Sequence, residues 1–104
     1  MLQLEIKSDS PDVASVQNLV KSAIESEIKN LKRSLEKTNK LLKEFEIKYQ
    51  VSSDFFISNW TAENLEEGDE EYISWVGEIK IRTKLINSLE KLENIEYVTQ
   101  HLPS

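Results

Sequence analysis

The stretch SSDFFISNWTAENLEEGDEEYISW, residues 52–75, decides the fold because it joins two long helical patterns. Its serines, asparagines, glycine and acids are typical of a turn. Aromatic rings bury a large area at a small cost in conformational entropy, so we expect them to pack as a small core at the joint. The stretch carries most of the aromatic residues of the chain, namely Phe55, Phe56, Trp60, Tyr72 and Trp75.

The first part of this stretch predicts a short helix. Ser52 or Ser53 is suited to the N-cap position, where a side-chain oxygen accepts a hydrogen bond from a free backbone N–H. Asp54 then lies in the first turn, where the helix dipole favours an acid. We predict the short helix over residues 53–60.

The last part of the stretch predicts the start of a second long helix. Gly68 and Asp69 mark its beginning, and further acids follow in its first turn. We predict this helix over residues 69–96. Its main apolar stripe consists of Tyr72, Trp75, Ile79, Ile86 and Leu89.

A first long helix is predicted over residues 11–50, where Pro11 suits the first turn. Apolar residues recur there at steps of three and four, and from Ile24 onward the steps follow a heptad pattern. Between Val16 and Ile28, three consecutive steps of four form a stutter, which leaves open a break near Ser22. The stripe consists of Val13, Val16, Val20, Ile24, Ile28, Leu31, Leu35, Leu42, Phe45 and Tyr49, with Thr38 as its polar member.

Together these patterns predict an all-α fold in one domain, residues 1–104. The expected architecture is an antiparallel helical hairpin with a long, coiled-coil-like N-terminal helix and a short helix at its tip. Residues 2–6 alternate apolar and polar as a strand does, so residues 1–8 are expected to form an extended segment, and residues 97–104 are expected to form a tail. A short sheet of the two terminal segments, within one chain or between two, remains open.

The second long helix is shorter than the first, so the start of the first helix is predicted to lack a partner in the hairpin. Exposed apolar stripes of this kind favour association, since burying each large side chain is worth about 1.5–3 kcal/mol. We therefore predict a homodimer or a larger symmetric helical bundle. The predicted interface residues are Val13, Val16, Leu19, Val20 and Ile24.

Charge is distributed unevenly over the chain, whose net charge is −6. Residues 54–78 contain eight acids and no base. This excess of acids argues against direct nucleic-acid binding, because that binding depends on basic side chains that neutralise the phosphates. It favours a basic protein partner. The chain has no cysteine, no signal-peptide pattern and no continuous membrane-spanning stretch, so we expect a soluble, cytoplasmic protein without disulfides.

The residues that carry chemistry in enzymes are scarce. The acids around Gly68 do not follow the order of a calcium loop and are better explained by the dipole of a helix start, so no metal is expected. The single histidine, His101, lies near the C-terminus, and without cysteine the sequence shows no recognisable nucleophile–base pair. We expect no enzymatic activity and no cofactor.

The aromatic residues of the joint have two possible roles, core and surface anchor. Phe55, Tyr72 and Trp75 are interpreted as core residues. Phe55 and Phe56 point in different directions on a helix, so both cannot enter the same core. One of Phe56 and Trp60 is therefore predicted as a surface anchor, of the kind that carries binding energy in interfaces. The predicted partner-binding set is Phe56, Trp60, Glu63, Glu66, Glu67, Glu70 and Glu71.

The segments KYQVSSDFFISNW and EEGDEEYISWVG, followed by a final helix, resemble small helical antitoxin-like proteins of prokaryotic toxin–antitoxin modules. The resemblance covers about residues 45–90 and does not include a DNA-binding segment. It implies that the chain neutralises a basic, nuclease-type toxin by direct contact. The alternative is a self-assembling structural or adaptor protein without a nuclease partner. The residues that carry the resemblance are Lys48, Tyr49, Ser52, Phe55, Gly68, Asp69, Tyr72 and Trp75.

Overall fold

The computed structural model describes the backbone of residues 2–8 and 13–101, and the side chains of residues 13–95. Helices dominate, as predicted, and a long helix packs against a second one. The elements in chain order are β1 (Leu2–Ser8), α1 (Val13–Tyr49), α2 (Ser53–Asn59), a 3-10 turn (Ala62–Asn64), α3 (Asp69–Glu93) and β2 (Ile95–His101).

The helix boundaries agree closely with the sequence patterns, apart from one end. α1 runs without interruption through Ser22, so the stutter does not break it. The start of the first helix at Pro11 lies outside the described residues. α3 ends at Glu93, so the prediction of a helix to residue 96 was too long. Asn94 closes this end, with its backbone N–H 3.2 Å from the carbonyl oxygen of Glu90.

The segment after Asn94 forms β2, which takes up residues 97–101 of the predicted tail. β2 pairs in parallel with β1 within the chain, in a register that runs from Leu2 opposite Ile95 to Ser8 opposite His101. Strands that pair in parallel need a long crossover connection, and the helices between β1 and β2 supply it. The β-branched and aromatic residues of β2 favour an extended backbone over a continued helix.

The chain divides into two compact units. The terminal unit comprises residues 1–32 and 87–104, and the central unit comprises residues 33–86. In the terminal unit Val13 and Leu89 are buried, and the Lys32 ammonium lies 3.7 Å from the Glu93 carboxylate.

The central unit holds the aromatic core. Its buried residues are Leu42 of α1, Phe56 of α2, Leu65 of the connection between α2 and α3 (residues 60–68) and Trp75 of α3. Phe45 lies against Trp75 and Tyr49 lies against Glu71, so the end of α1 and the start of α3 run antiparallel there. Along α1 the predicted stripe is the inward face of this unit, and even its polar member, Thr38, is buried.

Two residues with positive φ separate the helices of the central unit. Gln50 ends α1 with a φ of 55°, and its side-chain amide donates to the carbonyl oxygen of Ile47 at 2.7 Å. Gly68 precedes α3 with a φ of 57°, and its carbonyl oxygen accepts the first helical hydrogen bond, from Tyr72. Residues with a side chain are strained in this left-handed region, whereas glycine is not.

Candidate partner-binding surface

Three polar contacts fix α2 on the central unit. The hydroxyl of Ser52 accepts from the backbone N–H of Phe55 at 3.1 Å, as the predicted N-cap. The carboxylate of Glu46 accepts from the backbone N–H of Ser53 at 2.7 Å, so α1 satisfies a second free donor of α2. The hydroxyl of Ser53 in turn accepts from the indole N–H of Trp75 at 2.9 Å, in a buried position. These contacts determine which face of α2 points inward.

The inward face of α2 consists of Ser53 and Phe56, and Trp60 follows the helix as its C-cap on the same side, four residues after Phe56. Phe56 is 0% exposed and stacks on Trp75 with ring centroids 3.8 Å apart. Trp75 also stacks on Phe45, at 5.1 Å. Trp60 is half-buried and meets Tyr49 edge to face at 5.6 Å.

This arrangement corrects the roles assigned to the two phenylalanines. The prediction of Phe56 as a surface anchor is wrong, because Phe56 lies in the core. The interpretation of Phe55 as a core residue is also wrong, because its side chain is 50% exposed. Trp75 is buried and Tyr72 half-buried, as the sequence indicated. The spacing of Ser53, Phe56 and Trp60 by three and four residues was the sequence signal for the buried side. It identifies that side only if Ser53 is accepted as a buried residue.

A charged cluster of Lys48, Tyr49 and Glu71 joins the end of α1 to the start of α3. The Lys48 ammonium lies 2.9 Å from the Glu71 carboxylate, and the Tyr49 hydroxyl donates to the same carboxylate. The backbone N–H of Glu67 also donates to Glu71, at 2.9 Å. The Tyr49 hydroxyl accepts from the backbone N–H of Glu66 at 3.0 Å. The cluster therefore holds the acidic connection against α1.

The same contacts shift the pKa values of the cluster. Burial tends to raise the pKa of Glu71, but the hydrogen bonds from Tyr49, Lys48 and the Glu67 backbone outweigh it and lower the pKa to about 2. The hydrogen bond to Glu71 raises the pKa of Lys48. Burial raises the pKa of Tyr49, and its hydrogen bond to Glu71 raises it further. Glu71 is thus a charged structural residue at neutral pH.

Glu71 is only 9% exposed and fully engaged, so the prediction that it contacts a partner is corrected. Glu66 is exposed, although its carboxylate also lies 3.4 Å from the Lys48 ammonium. The other predicted acids, Glu63, Glu67 and Glu70, are exposed, and within residues 13–95 their carboxylates make no ion pair. Four of the five predicted acids therefore face solvent.

Apolar side chains are exposed on the same unit. Phe55 and Ile57 of α2 are half-exposed, and Ile73 in the first part of α3 is 69% exposed. These three residues were not among the predicted anchors. Ile73 lies off the stripe of Tyr72, Trp75 and Ile79, and that offset was the signal for its exposure.

The central unit also contains a groove of about 240 Å³ between α1 and α3. Its apolar part is formed by Leu41 and Phe45. Its polar part is formed by Glu44, Lys48, Ser74 and Glu78.

The predicted oligomer interface lies on α1 in the terminal unit, and its residues differ in exposure. Val13 is only 4% exposed, so the chain itself buries it, and the expectation that it is uncovered is wrong. The strand pair belongs to the same unit as Val13, so that unit contains more than the hairpin helices. Leu19 is 71% exposed and Val16 is 38% exposed, whereas Val20 and Ile24 are half-buried.

Neither a metal site nor a membrane span is found in the part of the chain that the structure describes. Within residues 13–95, the acids do not form a group of three or more that could hold a metal ion. None of the helices described combines the length and apolar character needed to cross a bilayer. Comparison with family models, curated proteins and solved structures found no match to this chain.

Proposed function

We propose that the chain is a protein–protein interaction module that binds a basic partner through the acidic end of its central unit. We define the acidic end as the exposed carboxylates of Glu63, Glu66, Glu67, Asp69 and Glu70. The observation that carries the proposal is that these acids lie exposed on the connection before α3 and on the first turn of α3, both of which are held by the aromatic core and the charged cluster. Lys48, which lies against this connection, is already paired with Glu66 and Glu71.

A rigid acidic surface suits a basic partner for two reasons. Charge complementarity speeds encounter and excludes acidic competitors. A connection that is ordered before binding loses little conformational entropy on association. The acidic end meets both conditions, because the Tyr49 hydroxyl and the Glu71 carboxylate hold the backbone at Glu66 and Glu67.

Exposed apolar residues supply the second component of such an interface. Anchors that fill pockets on the partner slow dissociation, whereas rim charges mainly affect association. Phe55, Ile57 and Ile73 replace Phe56 as the proposed anchors, since all three are exposed on the central unit. Trp60 is half-buried, and we keep the exposed part of its ring in the proposed binding surface.

The partner we propose is a basic nuclease-type protein that the chain neutralises by direct contact, in the manner of an antitoxin. The acidity of residues 54–78 supports a basic partner, and the resemblance of residues 45–90 to antitoxin-like proteins suggests the nuclease class. The role proposed for the chain is binding rather than catalysis.

Co-expression with the product of the neighbouring gene tests this proposal. We expect the two proteins to co-purify and the toxicity of the partner to fall when this chain is present. The triple variant Glu63→Lys, Glu67→Lys and Glu70→Lys should lose both effects, because it reverses the charge of the acidic end. A Glu36→Lys variant is the control, since Glu36 is exposed on α1 away from that end.

Two results would contradict the proposal. The first is a neighbouring gene product that neither co-purifies nor changes in toxicity. The second is a triple variant that is folded, as judged by its circular dichroism, and still binds like the wild type.

Self-assembly is the second candidate function. The observation that favours it is the exposure of Leu19 and Val16 on α1 in the terminal unit. We propose that a second copy of the chain covers them in a homodimer. Light scattering across a concentration series measures the molar mass, and a chain that stays monomeric at all concentrations would refute the dimer.

A further inference from the structure

The groove of the central unit combines apolar and charged side chains from two helices, α1 and α3. α1 contributes Leu41, Glu44, Phe45 and Lys48, which are spaced by three and four and so share one face. α3 contributes Ser74 and Glu78, one turn apart. An apolar floor therefore meets carboxylates from both helices.

The carboxylates of the groove are available for a ligand. Glu44 is exposed and Glu78 is half-buried, and neither makes an ion pair within the described side chains. Lys48 is different, because its ammonium lies 2.9 Å from Glu71 and 3.4 Å from Glu66. With Lys48 neutralised by its partners, the groove presents two negative charges.

The floor of the groove includes an aromatic ring held in a fixed position. Phe45 stacks on Trp75 with an interplanar angle of 9°, and Trp75 stacks on Phe56. Phe45 is nevertheless only half-buried and lines the groove. A cation that enters the groove therefore meets an aromatic surface as well as carboxylates.

The size of the groove restricts the ligand. Sites for small molecules usually measure about 300–1,000 Å³, and this groove, at about 240 Å³, is smaller. A single long side chain matches it better than a cofactor does. Arginine combines an apolar stem with a planar cation that stacks on rings and pairs with carboxylates, whereas the lysine ammonium is a compact, strongly hydrated charge.

We propose that this groove binds an arginine side chain of the basic partner. The stem packs on Leu41, and the guanidinium stacks on Phe45 and pairs with Glu44 and Glu78. This assignment rests on the proposed function, because it names the residue through which the partner is recognised. Arginine is also among the residues that most often carry the binding energy of an interface.

The test is a titration of the full chain with N-acetyl-L-arginine amide, followed through the backbone amides by NMR. We expect saturable shifts centred on Glu44, Phe45, Ser74 and Glu78. The double variant Glu44→Gln and Glu78→Gln should weaken binding at least about tenfold, since it removes both charged acceptors while keeping the shape of the side chains. Glu36→Gln with Glu90→Gln is the matched control, with one exposed acid changed on each helix.

Three results would overturn the assignment. These are the absence of saturable shifts at the groove, equal affinity in the folded double variant, and equal affinity for N-acetyl-L-lysine amide. The titration contains no partner protein, so its failure removes the arginine assignment and leaves the co-purification result standing. Saturable binding together with failed co-purification would instead remove the proposed partner and keep the groove.

Discussion

At the scale of single residues, two adjacent phenylalanines have opposite environments. Phe56 is fully buried on Trp75, whereas Phe55 is half-exposed one position earlier in the same helix. A helix turns by about 100° per residue, so neighbours must face different directions. Which of the two faces inward depends on the contacts of Ser53 with Glu46 and Trp75.

Replacement of these two residues by serine should have very different effects on stability. Phe56→Ser should lower the free energy of unfolding by about 3–5 kcal/mol, because it leaves a cavity in the aromatic core. Phe55→Ser should change it by about 1 kcal/mol or less, as is usual at exposed positions. Urea denaturation followed by tryptophan fluorescence measures both values. Equal losses in the two variants would contradict the burial of Phe56.

Glu71 predicts a dependence of stability on pH. Its folded-state pKa of about 2 lies below the ordinary value of 4.5, so the folded state favours the ionised form. The stability that results is fully present above pH 4.5 and is lost as the pH falls towards 2. The Glu71→Gln variant should lack this component, so the difference in unfolding free energy between wild type and variant should shrink over that range.

Urea denaturation at a series of pH values measures this difference. Glu70→Gln is the control, because Glu70 is the exposed neighbour of Glu71 on the same helix turn. The prediction fails if the unfolding free energies of the wild type and Glu71→Gln change in parallel from pH 4.5 to pH 2. Glu71 would then not be the source of the pH dependence.

At the scale of elements, α2 and α3 depend on different kinds of start signal. α2 begins with side-chain caps, one from Ser52 and one from Glu46 of α1. α3 begins after Gly68, whose positive φ turns the chain into the helix. The start signal of α2 is only partly local in sequence, because Glu46 belongs to another helix, whereas the start signal of α3 lies entirely in the residue before it.

The two glycines of the chain should respond oppositely to alanine. Gly68→Ala should destabilise the protein by about 1–2 kcal/mol, because a Cβ is strained at its φ of 57°. Gly77 lies inside α3, and a Cβ added there meets nothing within 4 Å. Gly77→Ala should therefore stabilise the protein by about 0.5–1 kcal/mol through the better helix propensity of alanine.

Thermal unfolding of the two variants measures both changes. A Cβ added at Gly68 also meets nothing within 4 Å, so neither variant creates a steric clash. A difference between the two variants therefore reports the backbone strain at Gly68. An unchanged midpoint for Gly68→Ala would show that the left-handed conformation at this position is not required.

At the scale of the whole molecule, the chain presents two surfaces of different character. The central unit carries exposed acids and the groove, and the terminal unit carries the exposed apolar residues of α1. The first suits a basic partner, and the second suits a like surface on another copy. The proposed functions therefore use separate residues and are open to separate tests.

Leu19→Glu should dissociate the proposed homodimer. The substitution places a charge where a second copy would bury an apolar side chain, and charges buried without a partner are strongly unfavourable. The control is Asn18→Glu, which adds the same charge at the adjacent exposed position. Light scattering should give the mass of two chains for the wild type and the control, and of one chain for Leu19→Glu. A dimeric Leu19→Glu variant would place the interface elsewhere.

The sequence alone determined the short helix at the joint, most of the helix boundaries and the inward face of α1 in the central unit. These features depend on local signals: a Ser cap, a Gly–Asp start and apolar residues at helical spacing. Each acts over a few residues, so a single sequence contains it in full. The end of α3 was the exception, because both a continued helix and a strand suited the residues after Glu93.

The tertiary structure decided the side chains at the joint. Phe56 lies in the core and Phe55 on the surface because Glu46 and Trp75 hold Ser53 in place. These two residues belong to α1 and α3, whereas Ser53 belongs to α2. Glu71 became structural because Lys48 and Tyr49 reach it from α1. Val13 became buried in a unit that includes both termini of the chain. For Phe56 and Glu71 the deciding contacts join residues of different elements, so no local pattern contained them.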